Sequence, residues 1–173
     1  MPFALELGLV TLVLAAAVSD LATRRIPNWI TVPGALAGIA LQAWYGGAQG
    51  AIRALGTAAL GFAIFMALYL LGGMGAGDVK LFAAVGAFLA PHSLPWVFIL
   101  TGLLGGVAAL ALAAARGRLM EVLRRTGHIV AGLGLLRWRE VRQASRLDAP
   151  NALRLPYGAV IAGGTLLFLA MFH

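Results

Sequence analysis

The chain has no cysteine, three serines, three histidines and only six acidic residues among 173. Without cysteine it can form neither a disulfide nor a cysteine-ligated zinc site. The serines (19, 93, 145) and histidines (92, 128, 173) form no nucleophile motif and no His-Glu-x-x-His helix. A serine, cysteine or zinc peptidase is therefore disfavoured, and we expect no metal and no other cofactor.

Apolar residues are abundant: they make up 61% of the chain, charged residues only 11%, and the mean hydropathy is +0.92. One soluble core of this size could not bury so much apolar surface, so lipid must cover the rest. Glycine, proline and arginine divide the chain into segments near the roughly 20 residues that cross a bilayer as a helix. We predict an all-α polytopic membrane protein, a single domain over 1–173, with about six transmembrane helices near 3–20, 29–45, 52–71, 78–90, 95–115 and 156–172.

The 13 lysine and arginine residues, which give a net charge of +7, predict the orientation. Short loops rich in these residues stay on the cytoplasmic side, and only Arg53 falls in an even loop. We therefore predict that the N-terminus and C-terminus are outside and that the odd loops are cytoplasmic. Because topology accounts for the charge, no nucleic-acid partner is expected.

The first apolar segment and the long basic loop each indicate how the chain lies in the membrane. The first segment, from Phe3 to Val18, is followed and not preceded by positive residues, so we expect a retained helix and not a signal peptide. The basic loop at about 116–155 carries nine arginines. We expect it to lie against membrane lipids, anionic ones in particular, with substrate docking as the alternative.

The six carboxylates are the remaining candidates for chemistry. Glu6 lies near the outer end of the first helix, and the acidic residues at 121, 140 and 148 lie among arginines, where solvated ion pairing accounts for them. Asp20 ends the first predicted helix and Asp78 begins the fourth, so both lie on the cytoplasmic side and can meet. From Asp78 to Pro91 a helix rises only about 20 Å of the roughly 30 Å hydrocarbon core, which puts Asp78 below the membrane surface.

A carboxylate inside a membrane needs a partner or a water-filled cavity, and so indicates a functional site. When two carboxylates are held close together, one keeps a proton while the other can activate water, which is the chemistry of aspartic peptidases. The glycines before Asp78 allow non-helical backbone to line such a cavity. Structural or proton-relay aspartates remain open on residue type and topology alone.

Three segments resemble the type IV prepilin peptidases. Gly75-Ala76-Gly77-Asp78-Val79-Lys80 resembles that family's GxGD motif. Ser19-Asp20 followed by Arg24-Arg25-Ile26-Pro27-Asn28 resembles its first-aspartate segment, and Leu155-Pro156-Tyr157-Gly158 resembles its Pro-x-Gly segment. The three occur in the family's order over most of the chain.

The resemblance implies that Asp20 and Asp78 are the catalytic pair and that Gly75 and Gly77 shape the active-site loop. For five further residues, substrate contact and a structural role both stay open. Structurally, Lys80 would be a positive-inside anchor, Pro27 and Asn28 would end a turn and cap the second helix, and Pro156 and Gly158 would open the sixth.

The family removes the basic leader of a prepilin, after a glycine and before the pilin's hydrophobic segment, at the cytoplasmic face of the bacterial inner membrane. Larger members also carry a cysteine-containing cytoplasmic loop and methylate the new N-terminus. Here only the stretch from Asp20 to Asn28 separates the first two helices, and cysteine is absent. The chain therefore resembles the small, cleavage-only branch associated with tight-adherence (Flp-type) pili, and methylation is not expected.

Three other functions fit the sequence less well. A proton-coupled transporter with Asp20 and Asp78 as a relay would be expected to show matched interrupted helices in two halves, which the sequence lacks. An intramembrane peptidase of the presenilin type shares GxGD, but its Tyr-Asp pair is absent because Ser19 precedes Asp20. A structural membrane subunit would leave two buried aspartates unexplained.

Overall fold

The computed structural model describes residues 1–117, Met120 and residues 155–172. These residues form five helices: α1 (Phe3–Thr23), α2 (Asn28–Leu70), α3 (Ala76–Phe88), α4 (Leu94–Ala115) and α5 (Tyr157–Phe172). Helices α1, α2 and α4 are long and apolar enough to cross a membrane, and α5 is a shorter apolar helix. The chain is thus a helical membrane protein, as the composition predicted.

A sharp reversal at Gly47 divides α2. This residue has φ 58° and ψ −150°, backbone angles that only glycine adopts readily. A side chain on Gly50 would collide with the carbonyl oxygen of Gln42, whereas residues eight apart in a straight helix are separated by roughly 12 Å. The chain therefore folds back, and the two arms, 28–46 and 48–70, correspond to the second and third predicted helices. The predicted interruption between the second and third helices, which includes 46–50, is too long, because only Gly47 leaves helical geometry.

The second arm of α2 packs tightly against α3. A methyl group on Gly61 would lie 3.0 Å from the carbonyl oxygen of Phe82, and one on Gly86 would lie 2.7 Å from that of Thr57. Phe65 stacks on Phe82 with ring centroids 4.0 Å apart. The glycines let the two antiparallel backbones approach, which is how helices pack closely when small residues line their interface.

Helix α3 is the centre of the bundle. From Asp78 to Phe88 every residue except Lys80 and Ala83 is buried. At its far end the first arm of α2 approaches, and the Gln42 side-chain amide donates a 3.0 Å hydrogen bond to the Phe88 carbonyl oxygen. That bond satisfies one of the carbonyl groups that a helix end leaves unpaired. A helix enclosed on all sides in this way can be shorter than the bilayer is thick.

Glycines also mark the contacts between the remaining helices. Gly34 packs on Leu12 of α1, and Gly38 packs on the ring of Phe88. Helices α4 and α5 approach at two glycines: Gly105 faces Val160, and Gly164 faces Thr101. A methyl group on Gly102 or Gly106 would meet nothing within 4 Å in the described part of the chain.

Helix ends near the aspartates differ from prediction by up to three residues. Helix α1 continues past Asp20 to Thr23 and ends at Arg24, whose backbone is left-handed (φ 55°). Helix α3 starts two residues before Asp78, because Gly75 adopts an extended conformation and its amide is held by the Asp78 side chain. It ends at Phe88 and not at Pro91. Most of the predicted basic loop, and the acidic residues within it, lie outside the described residues.

Three helix starts meet the end of α1 at one end of the bundle. Gly77 lies against Ile26, and Gly158 lies against both Asp20 and Ile26. The start of α2, the start of α3 and the start of α5 therefore meet the last turn of α1. We call this the aspartate end.

Gly47→Ala is expected to lower the free energy of unfolding by about 1–3 kcal/mol, because an L side chain is strained at this φ and ψ. Reversible unfolding in mixed detergent micelles measures the change. Gly46→Ala is the matched control: its methyl group would meet no described atom within 4 Å, and helix propensity favours alanine by up to about 1 kcal/mol. Equal destabilisation by both substitutions would contradict a reversal that depends on Gly47.

Candidate active site

Asp20 lies on the buried face of α1, where only 6% of its surface is exposed. It follows Leu9, Val13 and Ala16 on that face, at the spacing of one helix side. Its Oδ2 accepts a hydrogen bond of 2.8 Å from the backbone amide of Gly158. Gly158 is the second residue of α5, so this amide is one of the donors that a helix start leaves free. Such an amide stabilises negative charge.

Asp78 is held at the start of α3, with 8% of its surface exposed. Its Oδ2 accepts a hydrogen bond of 3.1 Å from the backbone amide of Gly75. An acidic side chain that reaches back to the residue before the helix is one half of a capping box. The GxGD segment therefore both starts the helix and fixes the carboxylate.

The two carboxylates lie at the same end of the bundle, because Asp20 contacts Gly158, and Ile26 packs on both Gly158 and Gly77, the residue before Asp78. Two buried carboxylates within electrostatic range can share a proton and activate a water molecule. Within the described ranges, no three histidine, aspartate or glutamate side chains come together to hold a metal ion. The chemistry that the described groups offer is therefore acid–base chemistry on a carboxylate pair.

Ile26, between α1 and α2, touches the backbone beside both aspartates. A methyl group on Gly77, the residue before Asp78, would lie 3.2 Å from Ile26 Cβ. One on Gly158, the residue that holds Asp20, would lie 2.9 Å from Ile26 Cδ1. Glycine at these two positions is what lets α3 and α5 close on the same isoleucine.

Lys80 and Asn28 meet on the surface of the aspartate end. Lys80 Nζ donates a hydrogen bond of 2.9 Å to Asn28 Oδ1. Pro27 precedes α2 and Asn28 is its first residue, but no side chain caps the helix, so the predicted capping role of Asn28 is wrong. Pro156 does open its helix: its carbonyl oxygen accepts hydrogen bonds from the amides at 159 and 160.

Ile26 and Tyr157 are two residues at the site to which the sequence interpretation gave no role. Tyr157 stands between Pro156 and Gly158, so its motif was the available signal for a place beside the aspartates. Ile26 likewise stands in the segment that follows Asp20, but its apolar side chain carries no chemical group that would mark it in a chain that is 61% apolar. Its role follows from three-dimensional contact with two glycines far apart in sequence.

The chain matches known proteins across this site. The sequence model of the type IV leader peptidase family matches residues 7–110, more than half of the chain. The chain is 32% identical over 120 residues to a prepilin leader peptidase/N-methyltransferase of Burkholderia pseudomallei, covering 65% of this chain and 38% of that protein. The protein of that description in Myxococcus xanthus is 38% identical over 120 residues, covering 65% and 35%.

A third protein of this description, from Neisseria gonorrhoeae, is 48% identical over 46 residues, which cover 27% of this chain and 16% of that protein. The chain thus spans less than two fifths of the length of these relatives. No solved structure matches the chain.

For the peptidase activity that the resemblance implies, Gly158→Ala is expected to lower turnover at least about tenfold, because displacing the implied catalytic carboxylate by a fraction of an ångström is costly. The new methyl group would lie 2.9 Å from Asp20 Cβ and 3.0 Å from Oδ2, so the carboxylate must move. The measurement is the rate of peptide cleavage per folded molecule. Gly163→Ala in the same helix is the control, since its methyl group meets Leu104 at an ordinary 3.4 Å. Full activity of folded Gly158→Ala would contradict the assigned support of Asp20.

Proposed function

Because the chain belongs to the type IV leader peptidase family, we propose that it is an aspartic endopeptidase that removes the basic leader peptide of type IV prepilins. Asp20 and Asp78 are its catalytic pair. The observation that carries the proposal is that both carboxylates are buried at the aspartate end, each with one oxygen on a glycine amide and each beside a glycine that packs on Ile26. The relatives named as prepilin leader peptidases support the substrate class.

The proposed reaction is the addition of water to a peptide carbonyl. The deprotonated aspartate takes a proton from a water molecule between the pair, while the protonated aspartate donates a hydrogen bond to the scissile carbonyl oxygen. The water oxygen bonds to the carbonyl carbon to form a tetrahedral intermediate. When the intermediate collapses, the C–N bond breaks and the leaving amine takes a proton from the pair. The Gly75 and Gly158 amides keep both carboxylates oriented through these steps.

The proposed setting is the cytoplasmic face of the bacterial inner membrane. Eleven of the 13 lysine and arginine residues lie in the odd connections, Arg24 and Arg25 among them at the aspartate end, and Lys80 lies near the start of α3 at the same end. Counting the arms of α2 separately gives six membrane segments. Since α3 has 13 residues, it rises only about 20 Å, which would leave Asp78 below the membrane surface. The remaining arginines, in the basic loop, would bind anionic lipids.

The proposed branch of the family is the small one that cleaves without methylating and serves Flp-type pilus biogenesis. Only residues 24–27 join α1 to α2. Four residues leave no space for a further domain at that point, and the chain has no cysteine to bind zinc there. Both features agree with cleavage as the single activity.

Asp20→Asn and Asp78→Asn are each expected to lower cleavage by at least about a thousandfold, because an amide cannot exchange the protons that the reaction requires. The assay is mass spectrometry of a prepilin with a basic leader and a glycine at the junction, using purified protein in detergent. Glu6→Gln is the control, since Glu6 pairs with the N-terminus at the start of α1.

Wild-type protein is expected to cut once, after the glycine, and to leave the new N-terminus unmethylated when a methyl donor is present. Cutting by either folded asparagine variant would remove that aspartate from the mechanism. An added methyl group on the product would refute assignment to the cleavage-only branch.

Single cysteines in this cysteine-free chain test the orientation. Ala48→Cys, beside the α2 reversal, is expected to react with a membrane-impermeant maleimide in intact cells. Ser145→Cys, in the basic loop, is expected to react only after the cells are opened, because the positive loop stays inside. Labelling of Ser145→Cys from outside would reverse the proposed orientation.

A further inference from the structure

We propose that three residues at and beside the connection between α1 and α2 set the spacing of Asp20 and Asp78. They are Ile26, Asn28 and Lys80, which act as positioning residues, and together we call them the clamp. The proposal rests on the function proposed above and deepens the account of the same site. Its basis is that Ile26 contacts Gly77, which precedes Asp78, and Gly158, whose amide holds Asp20, while Asn28 is bonded to Lys80 of α3.

Ile26 is the spacer of the clamp. On one side it packs against Gly77, whose neighbour is Asp78, and on the other against Gly158, whose amide holds Asp20. One side chain therefore separates the start of α3 from the start of α5. A change in its position or volume is transmitted to both carboxylates together, because packed interiors have little free space to absorb it.

The hydrogen bond between Lys80 and Asn28 holds α3 against the first residue of α2. Its length of 2.9 Å is typical of a charge-assisted hydrogen bond. Lys80 is two residues from Asp78, so its side chain leaves the helix on a different face. Both members of the bond are exposed. The bond thus acts on the aspartates through helix position and not through contact with reacting atoms.

The connection is also tied to the last turn of α1. Ser19 Oγ donates to the carbonyl oxygen of Arg25 at 3.0 Å, and Thr23 Oγ1 donates to the carbonyl oxygen of Ser19 at 2.9 Å. The Arg24 amide donates to the carbonyl oxygen of Asp20 at 2.8 Å. Hydrogen bonds therefore tie the Asp20 turn to the connection at Arg25, and the connection leads along the chain to Asn28, which is bonded to Lys80 of α3.

The first test compares cleavage kinetics of Lys80→Met, Asn28→Leu and the double variant. Each single change is expected to lower kcat about tenfold to a hundredfold with KM little changed, because it misplaces the pair without touching substrate. The double variant is expected to be no worse than either single one, since all three lack the same bond. Asn28→Asp keeps the acceptor oxygen and is expected to retain activity.

Three kinetic results would overturn the clamp. Losses that multiply in the double variant would mean that the residues act separately. A rise in KM with normal kcat in Lys80→Met alone would make Lys80 a substrate contact. Equal loss in Asn28→Asp and Asn28→Leu would show that the hydrogen bond is not what matters.

A second readout does not need cleavage, and so separates failure of the clamp from failure of the proposed function. In Asn28→Leu, hydrogen exchange is expected to accelerate in peptides that contain the Gly75 and Gly158 amides. Gln49→Leu is the matched control: it removes another exposed hydrogen bond, from Arg53 to Gln49, beside the α2 reversal. Unchanged exchange at both glycines would contradict the clamp, whether or not the wild-type protein cleaves a prepilin.

Discussion

The hydrogen bond from the Gly158 amide to the Asp20 carboxylate joins the first helix of the chain to the last. A carboxylate among membrane helices is unfavourable unless it finds donors, and here a free amide at the start of α5 provides one. The bond also requires glycine at 158, since a side chain there would strike Asp20 and Ile26. This contact holds the start of α5 and Ile26 of the connection beside Asp20, at the end of the bundle where Asp78 also lies.

Asp78 is held in the same way, because a glycine amide again donates a hydrogen bond to the carboxylate. A chain with 11% charged residues has few side chains with which to build a polar site, so it uses backbone donors at helix starts. Helix α3 is short and enclosed by close neighbours. This enclosure brings its first turn against α1 and α5. Glycines at 38, 61 and 86 permit that enclosure, and the reversal at Gly47 lets α2 supply two of those neighbours.

Elimination over a sequence poor in polar residues predicted Asp20 and Asp78 as the site, and the structure buries both at one end of the bundle. Hydropathy placed most helices within a few residues. The reversal of α2 was harder to define, because helical hydrogen bonding resumes on both sides of one glycine and composition does not report backbone angles. Ile26 could not be predicted, since its importance comes from two glycines more than 50 and 130 positions away.

The central claim is that Asp20 and Asp78 meet in the folded protein. A double Asp20→Cys/Asp78→Cys variant in this cysteine-free chain tests it directly, with a short bifunctional thiol reagent and detection of the joined tryptic peptides by mass spectrometry. The account predicts an efficient cross-link within one molecule, and none for Asp20→Cys paired with Ala48→Cys beside the α2 reversal. Failure of the first pair to cross-link, although each cysteine alone reacts with a monofunctional reagent, would contradict the account.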